Sequence, residues 1–153
     1  LFLLGILTGC TGTRSAADVT RDVARGAVLV VVEAAEVGDE VCAGVAAQAK
    51  GSGDEATLRR GIEIAQTCEH AKDMVLTAAR GMRMALNAWE SASAGKLACA
   101  GAQALQALNL TRDAIVRGDG DIPPVLDDGI AQAATLARML PTGSSCELSK
   151  GAK

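Results

Sequence analysis

The 153-residue sequence has no tyrosine, one phenylalanine (Phe2), one tryptophan (Trp89) and one histidine (His70). Strands are enriched in aromatic and β-branched residues. A chain this poor in aromatics, with Ala, Val and Leu dominating an apolar fraction of 49%, is expected to be helical. A lone histidine excludes metal centres built from several imidazoles, and excludes a histidine-dependent triad unless a partner completes it. No basic block and no basic–aromatic interleaving points to nucleic acid, because 15 basic and 18 acidic residues are spread along the chain for a net charge of −3. Cys-x-x-Cys-His, which would attach c-type haem, is absent, and so are a P-loop and a GxGxxG turn. The length suits one domain, large enough to bury a core as a bundle.

The chain begins Leu-Phe-Leu-Leu-Gly-Ile-Leu-Thr-Gly-Cys, an apolar stretch too short to cross a bilayer, followed at once by polar Thr11, Thr13, Arg14 and Ser15. It reads as the end of a secretory signal whose positively charged region is expected ahead of Leu1. Leu7-Thr8-Gly9-Cys10 resembles the lipobox of bacterial lipoproteins: a branched residue, two small residues that let the backbone enter a signal peptidase cleft, then the cysteine. The resemblance implies a diacylglyceryl group on the Cys10 thiol, cleavage between Gly9 and Cys10, and acylation of the freed amine. Two or three chains, at about 0.8 kcal/mol per buried methylene, suffice for stable anchoring. Thr11 in place of Asp after the cysteine resembles the outer-membrane default of diderm lipoproteins. On this reading residues 1–9 leave with the signal, 10–14 form a lipidated tether, and 15–153 form the exported domain with its C-terminal tail. The residues alone also allow an ordinary apolar helix start with a buried cysteine, or half of a transmembrane segment, although Gly5 and Gly9 suit a packed helix poorly.

Between Ser15 and Leu140 apolar residues recur every three or four positions, and Gly or Pro clusters divide them into four segments. The first helix is expected over about Ala16–Lys50, on the stripe Val19, Val23, Ala27, Val30, Ala34 and onward to Ala49, with Ser15 and Asp18 resembling a capping box. Gly51-Ser52-Gly53 turns the chain, and Ser52 with Glu55 offers a second capping box. The second helix is expected over about Asp54–Ser91, with Leu58, Ile62, Cys68, Val75, Met82 and Trp89 on its seam. The third spans about Lys96–Arg117 and is stopped by Gly118-Asp119-Gly120-Asp121. The fourth starts at Pro123-Pro124 and presents Leu126, Ile130, Ala133, Ala137 and Leu140. Short connections between long amphipathic helices predict an all-α, up-down-up-down antiparallel four-helix bundle.

With Cys10 set aside, Cys42, Cys68, Cys99 and Cys146 remain, an even number that in an exported chain fits two disulfides. The bundle brings Cys42 and Cys68 to the half near Gly51, and Cys99 and Cys146 to the opposite pole, so Cys42–Cys68 and Cys99–Cys146 are the expected pairs. Cys68 lies about six residues deeper from the turn than Cys42, roughly 9 Å of rise, so the first two helices must be staggered or their turn asymmetric. In a cytosolic protein the same four would be small buried hydrophobes.

His70 and Met74, an i, i+4 pair placed near the outer face of the second helix with Met84, form a weak candidate for Cu(I), two ligands being few. Asp119, Asp121, Asp127 and Asp128 crowd one connection without the spacing of a calcium loop, and are better explained by capping and the helix dipole. Arg117-Gly118-Asp119 and Asn109-Leu110-Thr111 match an adhesion tripeptide and a glycosylation pattern by accident, one at a helix stop and one within a helix. No set of residues fills catalytic roles, and no cofactor is implied. The expectation is therefore a non-enzymatic, lipid-anchored interaction or structural module of the cell envelope, with the membrane and an envelope protein as partners. Trp89 is a candidate partner anchor, although its seam position favours a core plug. The alternative is a carrier or sensor holding a small apolar ligand between the helices.

Overall fold

In a computed structural model the described residues are 16–88, 93–139 and 146. Four helices follow one another: α1 (Ala16–Lys50), α2 (Glu55–Asn87), α3 (Ser93–Arg117) and α4 (Pro124–Ala137). They form the expected up-down-up-down bundle. α1 and α3 each pack on both α2 and α4 and also touch across the diagonal, whereas α2 and α4 do not meet. Among the described residues no helix is long and apolar enough to cross a membrane.

The buried seams alternate steps of three and four residues. On α2 they run from Gly61 through Ile64, Cys68, Ala71 and Val75 to Ala78. On α3 they run from Leu97 through Gly101, Ala104, Leu108 and Thr111 to Ile115. A mean spacing of 3.5 keeps the seam facing its neighbour, as in a coiled coil. This corrects the stripes expected from the sequence. Val19 and Val23 are 48% and 60% exposed, and Leu58 and Ile62 are 40% and 42% exposed. A run of four-residue steps advances about 40° beyond a full turn at each step, so it winds off the seam. The α1 core keeps Ala27, Ala34 and Val45 of the expected stripe and adds Ala24, Val28, Val31 and Cys42.

The α1–α2 stagger is resolved by Gly61. A Cβ there would lie 2.9 Å from both the Ala49 side chain and the Lys50 backbone nitrogen, so this hydrogen-only position lets α2 pass against the end of α1. The preceding turns of α2 overhang α1, which leaves Leu58 outside and sets Cys68 level with Cys42. α3 and α4 approach closely in the same way at Gly101, whose Cβ would meet Leu136 at 2.6 Å and the Ala137 nitrogen at 3.0 Å. The fully buried volume comes from aliphatic side chains such as Ile64, Met82, Leu97, Leu108 and Leu126, with alanines between them.

Two helix ends differ from the sequence expectation. Asp54, not Ser52, caps α2: its carboxylate accepts from the Thr57 backbone N–H at 2.9 Å and from the Thr57 hydroxyl at 2.7 Å. The Ser52 hydroxyl turns back and donates to the Ala49 carbonyl. Ser15, the other expected cap, lies outside the described residues. At the end of α3 the Gly120 N–H donates to the Ile115 carbonyl and the Asp119 N–H to the Val116 carbonyl, a Schellman closure. The left-handed residue in that closure is Asp119, with φ 58°, rather than either glycine. The glycines are needed for room, since a Cβ on Gly118 or Gly120 would collide with the Val45 side chain. Pro124 occupies the first turn of α4, where its missing N–H is harmless.

Candidate functional site

The bundle places the cysteines as its topology requires. Cys42 and Cys68 are disulfide-bonded with Cα atoms 6.0 Å apart, and Cys99 and Cys146 are bonded at 5.4 Å. The first bridge ties α1 to α2 within the core, both of its residues being buried. The second ties the start of α3 to the chain beyond α4. Cys10, the Gly9–Cys10 junction and Trp89, the other residues singled out from the sequence, lie outside the described residues.

His70 is exposed, in an open depression of about 440 Å³ between α2 and α3 lined by Glu63, Gln66, Thr67, Leu110 and Arg117. Arg117 crosses it, donating to the Thr67 hydroxyl at 3.4 Å and to the Asp113 carbonyl at 3.3 Å. Met74 is partly buried and packs against the core, while Met84 is 72% exposed. The two Cu(I) candidates are thus divided, with the imidazole facing solvent and the thioether committed to packing. Among the described residues no three of His, Cys, Asp and Glu converge as a metal site would require. The Asn109-Leu110-Thr111 pattern lies inside α3, where the buried Thr111 hydroxyl donates to the Ala107 carbonyl.

Two further concavities follow the α1–α2 groove. One, about 540 Å³, lies over Ala43, Ala46, Ala65 and the Cys68 end of the disulfide. Another, about 400 Å³, lies over Val32, Val75, Leu76 and Ala79. They meet at the Asp39–Lys72 ion pair, 2.7 Å long. The hydrogen bond from Lys72 to Asp39, reinforced by the carboxylate's charge, holds the Lys72 ammonium above its ordinary pKa. Both concavities are open to solvent, with small-residue floors and charged rims.

Arg21 was not visible as special in the sequence. α2 has no basic residue in its last turn, and Arg21 of α1 supplies one, donating from Nη2 to the Leu86 carbonyl at 2.9 Å while its Nε is buried without a partner. A cation is favoured at that negative end of the helix dipole. Charge that is evenly spread along the sequence is also regrouped by folding. The half of the bundle bearing the start of α1 comprises residues 16–33, 77–88, 93–105 and 131–139, and it carries six basic and three acidic side chains. The described remainder carries six basic and thirteen acidic ones.

No protein-family model, curated protein or solved structure matches the chain.

Proposed function

We propose that this chain is a bacterial envelope lipoprotein, held on a membrane by acyl groups on Cys10, whose helical body acts as a non-enzymatic interaction or structural module. The observation that carries the proposal is the pair of cross-links Cys42–Cys68 and Cys99–Cys146. Disulfides persist in oxidising compartments and are rare in a reducing cytosol, so a doubly cross-linked body belongs with an exported chain. The lipobox-like Leu7-Thr8-Gly9-Cys10 stands only five residues before α1, where it would make a cleavage site and an anchor. The outer membrane is the address that Thr11 favours.

The near-contact of helix backbones at Gly61 and Gly101 supports an interaction module over a carrier, because helices that close leave little space for a guest between them. The intact mass of the protein extracted from its native membrane is the test. Acyl chains on an N-terminal Cys10, together with a polypeptide four hydrogens lighter than its reduced form, are expected. A native chain that keeps Gly9 and the residues before it, with Cys10 unmodified and four reactive thiols, overturns the proposal.

A further inference from the structure

We propose that the end of the bundle bearing the start of α1 is a docking surface for an anionic lipid bilayer, so that the body rests on the membrane instead of hanging freely from its anchor. The inference builds on the lipoprotein reading, and three features of this pole carry it. The first is the segregation of charge, which collects Arg21, Arg25, Arg80, Arg83, Lys96 and Arg138 in one half. Antiparallel packing does this: Arg21 lies level with Leu86, and Gly81 with Ala100, so the end of α2 meets the starts of α1 and α3.

The second feature is how those cations are engaged. In the opposite half three of the six cations form ion pairs, Arg59 with Glu55, Lys72 with Asp39 and Arg112 with Asp127, within an acidic excess that surrounds the others. At this pole Arg25, Arg80, Arg83, Lys96 and Arg138 are all exposed, and none of them forms an ion pair among the described residues. Within the described structure they remain open to an external anion. The third feature is apolar. Val19, Val23, Leu29 and Met84 are exposed in this half, Leu29 and Met84 by 70% and 72%. Leu58, Ile62, Leu76 and Val116 are exposed in the other, so the company of unpaired cations, not the number of aliphatic side chains, marks this pole. Cations interleaved with exposed aliphatic side chains match the boundary between anionic headgroups and acyl chains.

A short tether keeps this pole near the bilayer once Cys10 is acylated. The six steps from Cys10 to Ala16 span at most about 20 Å fully extended. A shorter path brings the pole within the roughly 8 Å over which charges act at physiological salt. The acidic half points away from the surface.

The test uses the full chain with Cys10→Ser, which removes acylation, and vesicles of phosphatidylcholine with or without phosphatidylglycerol. The quantity read is the excess binding to the anionic vesicles. That excess is expected to be present at low salt and to fade as salt rises. Arg80→Glu with Arg83→Glu should reduce it at least about tenfold, at a few-fold per cation near the surface. Arg59→Glu with Arg60→Glu changes net charge equally on the far half and should leave the excess within about twofold. Circular dichroism checks that both variants remain helical. No preference for anionic vesicles at low salt, or equal loss in the two variants, overturns the proposal. The mass of the native protein is read independently, so failure here leaves the anchor standing, and failure of the anchor is visible without this experiment.

Discussion

The two halves of the bundle are held by different means. In the half around the α1–α2 and α3–α4 connections, helix ends are closed and half of the cations are paired. Asp54 caps α2, a Schellman closure ends α3 against Val45, and Arg59, Lys72 and Arg112 each meet a carboxylate. In the half around the start of α1, five exposed cations form no ion pair among the described residues, aliphatic side chains protrude, and Arg21 caps α2 from α1. One half is built for itself. The other carries an excess of positive charge among the described residues, whereas exposed aliphatic side chains occur in both halves, Leu58, Ile62 and Val116 among them.

Removing the bridges should separate the halves most strongly. Loops of 26 and 47 residues correspond to about 3–4 kcal/mol each through restriction of the unfolded chain. Cys42→Ala with Cys68→Ala should lower the unfolding free energy by about that amount, and should lower hydrogen-exchange protection across all four helices, because both sulfurs lie inside the core. Cys99→Ala with Cys146→Ala should lose a similar amount overall, yet protection should fall first at the start of α3 while the amides around Asp54 and Gly118 stay slow. Uniform loss in both variants would mean that the halves do not differ in local stability.

Two glycines give opposite signs in the two halves. A Cβ at Gly118 would strike Val45, so Gly118→Ala should destabilise by about 1–3 kcal/mol through overpacking. Gly26 lies exposed within α1, and a Cβ added there would meet nothing within 4 Å, so Gly26→Ala should stabilise by about 0.5–1 kcal/mol from helix propensity alone. Denaturant titrations of the two variants read both signs. A Gly26→Ala variant less stable than the parent would show that this face of α1 is covered in solution.

Helix number, turns and cysteine pairing were legible because each depends on local chemistry or on topology. Gly51-Ser52-Gly53 and Gly118–Pro124 interrupt any helix, and an antiparallel bundle leaves few ways to join four cysteines. The seam was less legible. α1 offers Val or Ala on several faces, including Val19, Val23, Ala24, Ala27 and Val28, and hydrophobicity alone cannot choose among them. The neighbouring helices choose, favouring Ala24 and Val28 and leaving Val19 and Val23 outside. The cap of α2 was misplaced by two residues because Ser52 and Asp54 both precede Glu55, and only backbone geometry decides which side chain reaches the free N–H. The basic pole could not be seen at all, since Arg25, Arg83, Lys96 and Arg138 are far apart in sequence until the bundle assembles them.

The smallest effect tests the half with closed helix ends at its cap. The hydrogen bonds from Thr57 to Asp54 hold that carboxyl below its ordinary value of 3.8. A depressed folded-state pKa adds stability that is fully present above the unfolded value and is lost as pH falls through the folded one. Asp54→Ala should therefore lower Tm slightly at neutral pH, and the gap to the parent should close as pH drops below about 4 and the parent's carboxyl is protonated. The exposed pair in the same half should behave in mirror image. Lys72, raised by Asp39, supports the fold below about pH 10.5 and loses that support as the medium becomes more alkaline, so a Lys72→Met variant should approach the parent only at high pH. A gap at Asp54 that widened in acid would place its stabilising contact in the protonated carboxyl, and would remove the cap from the closed helix ends that mark this half.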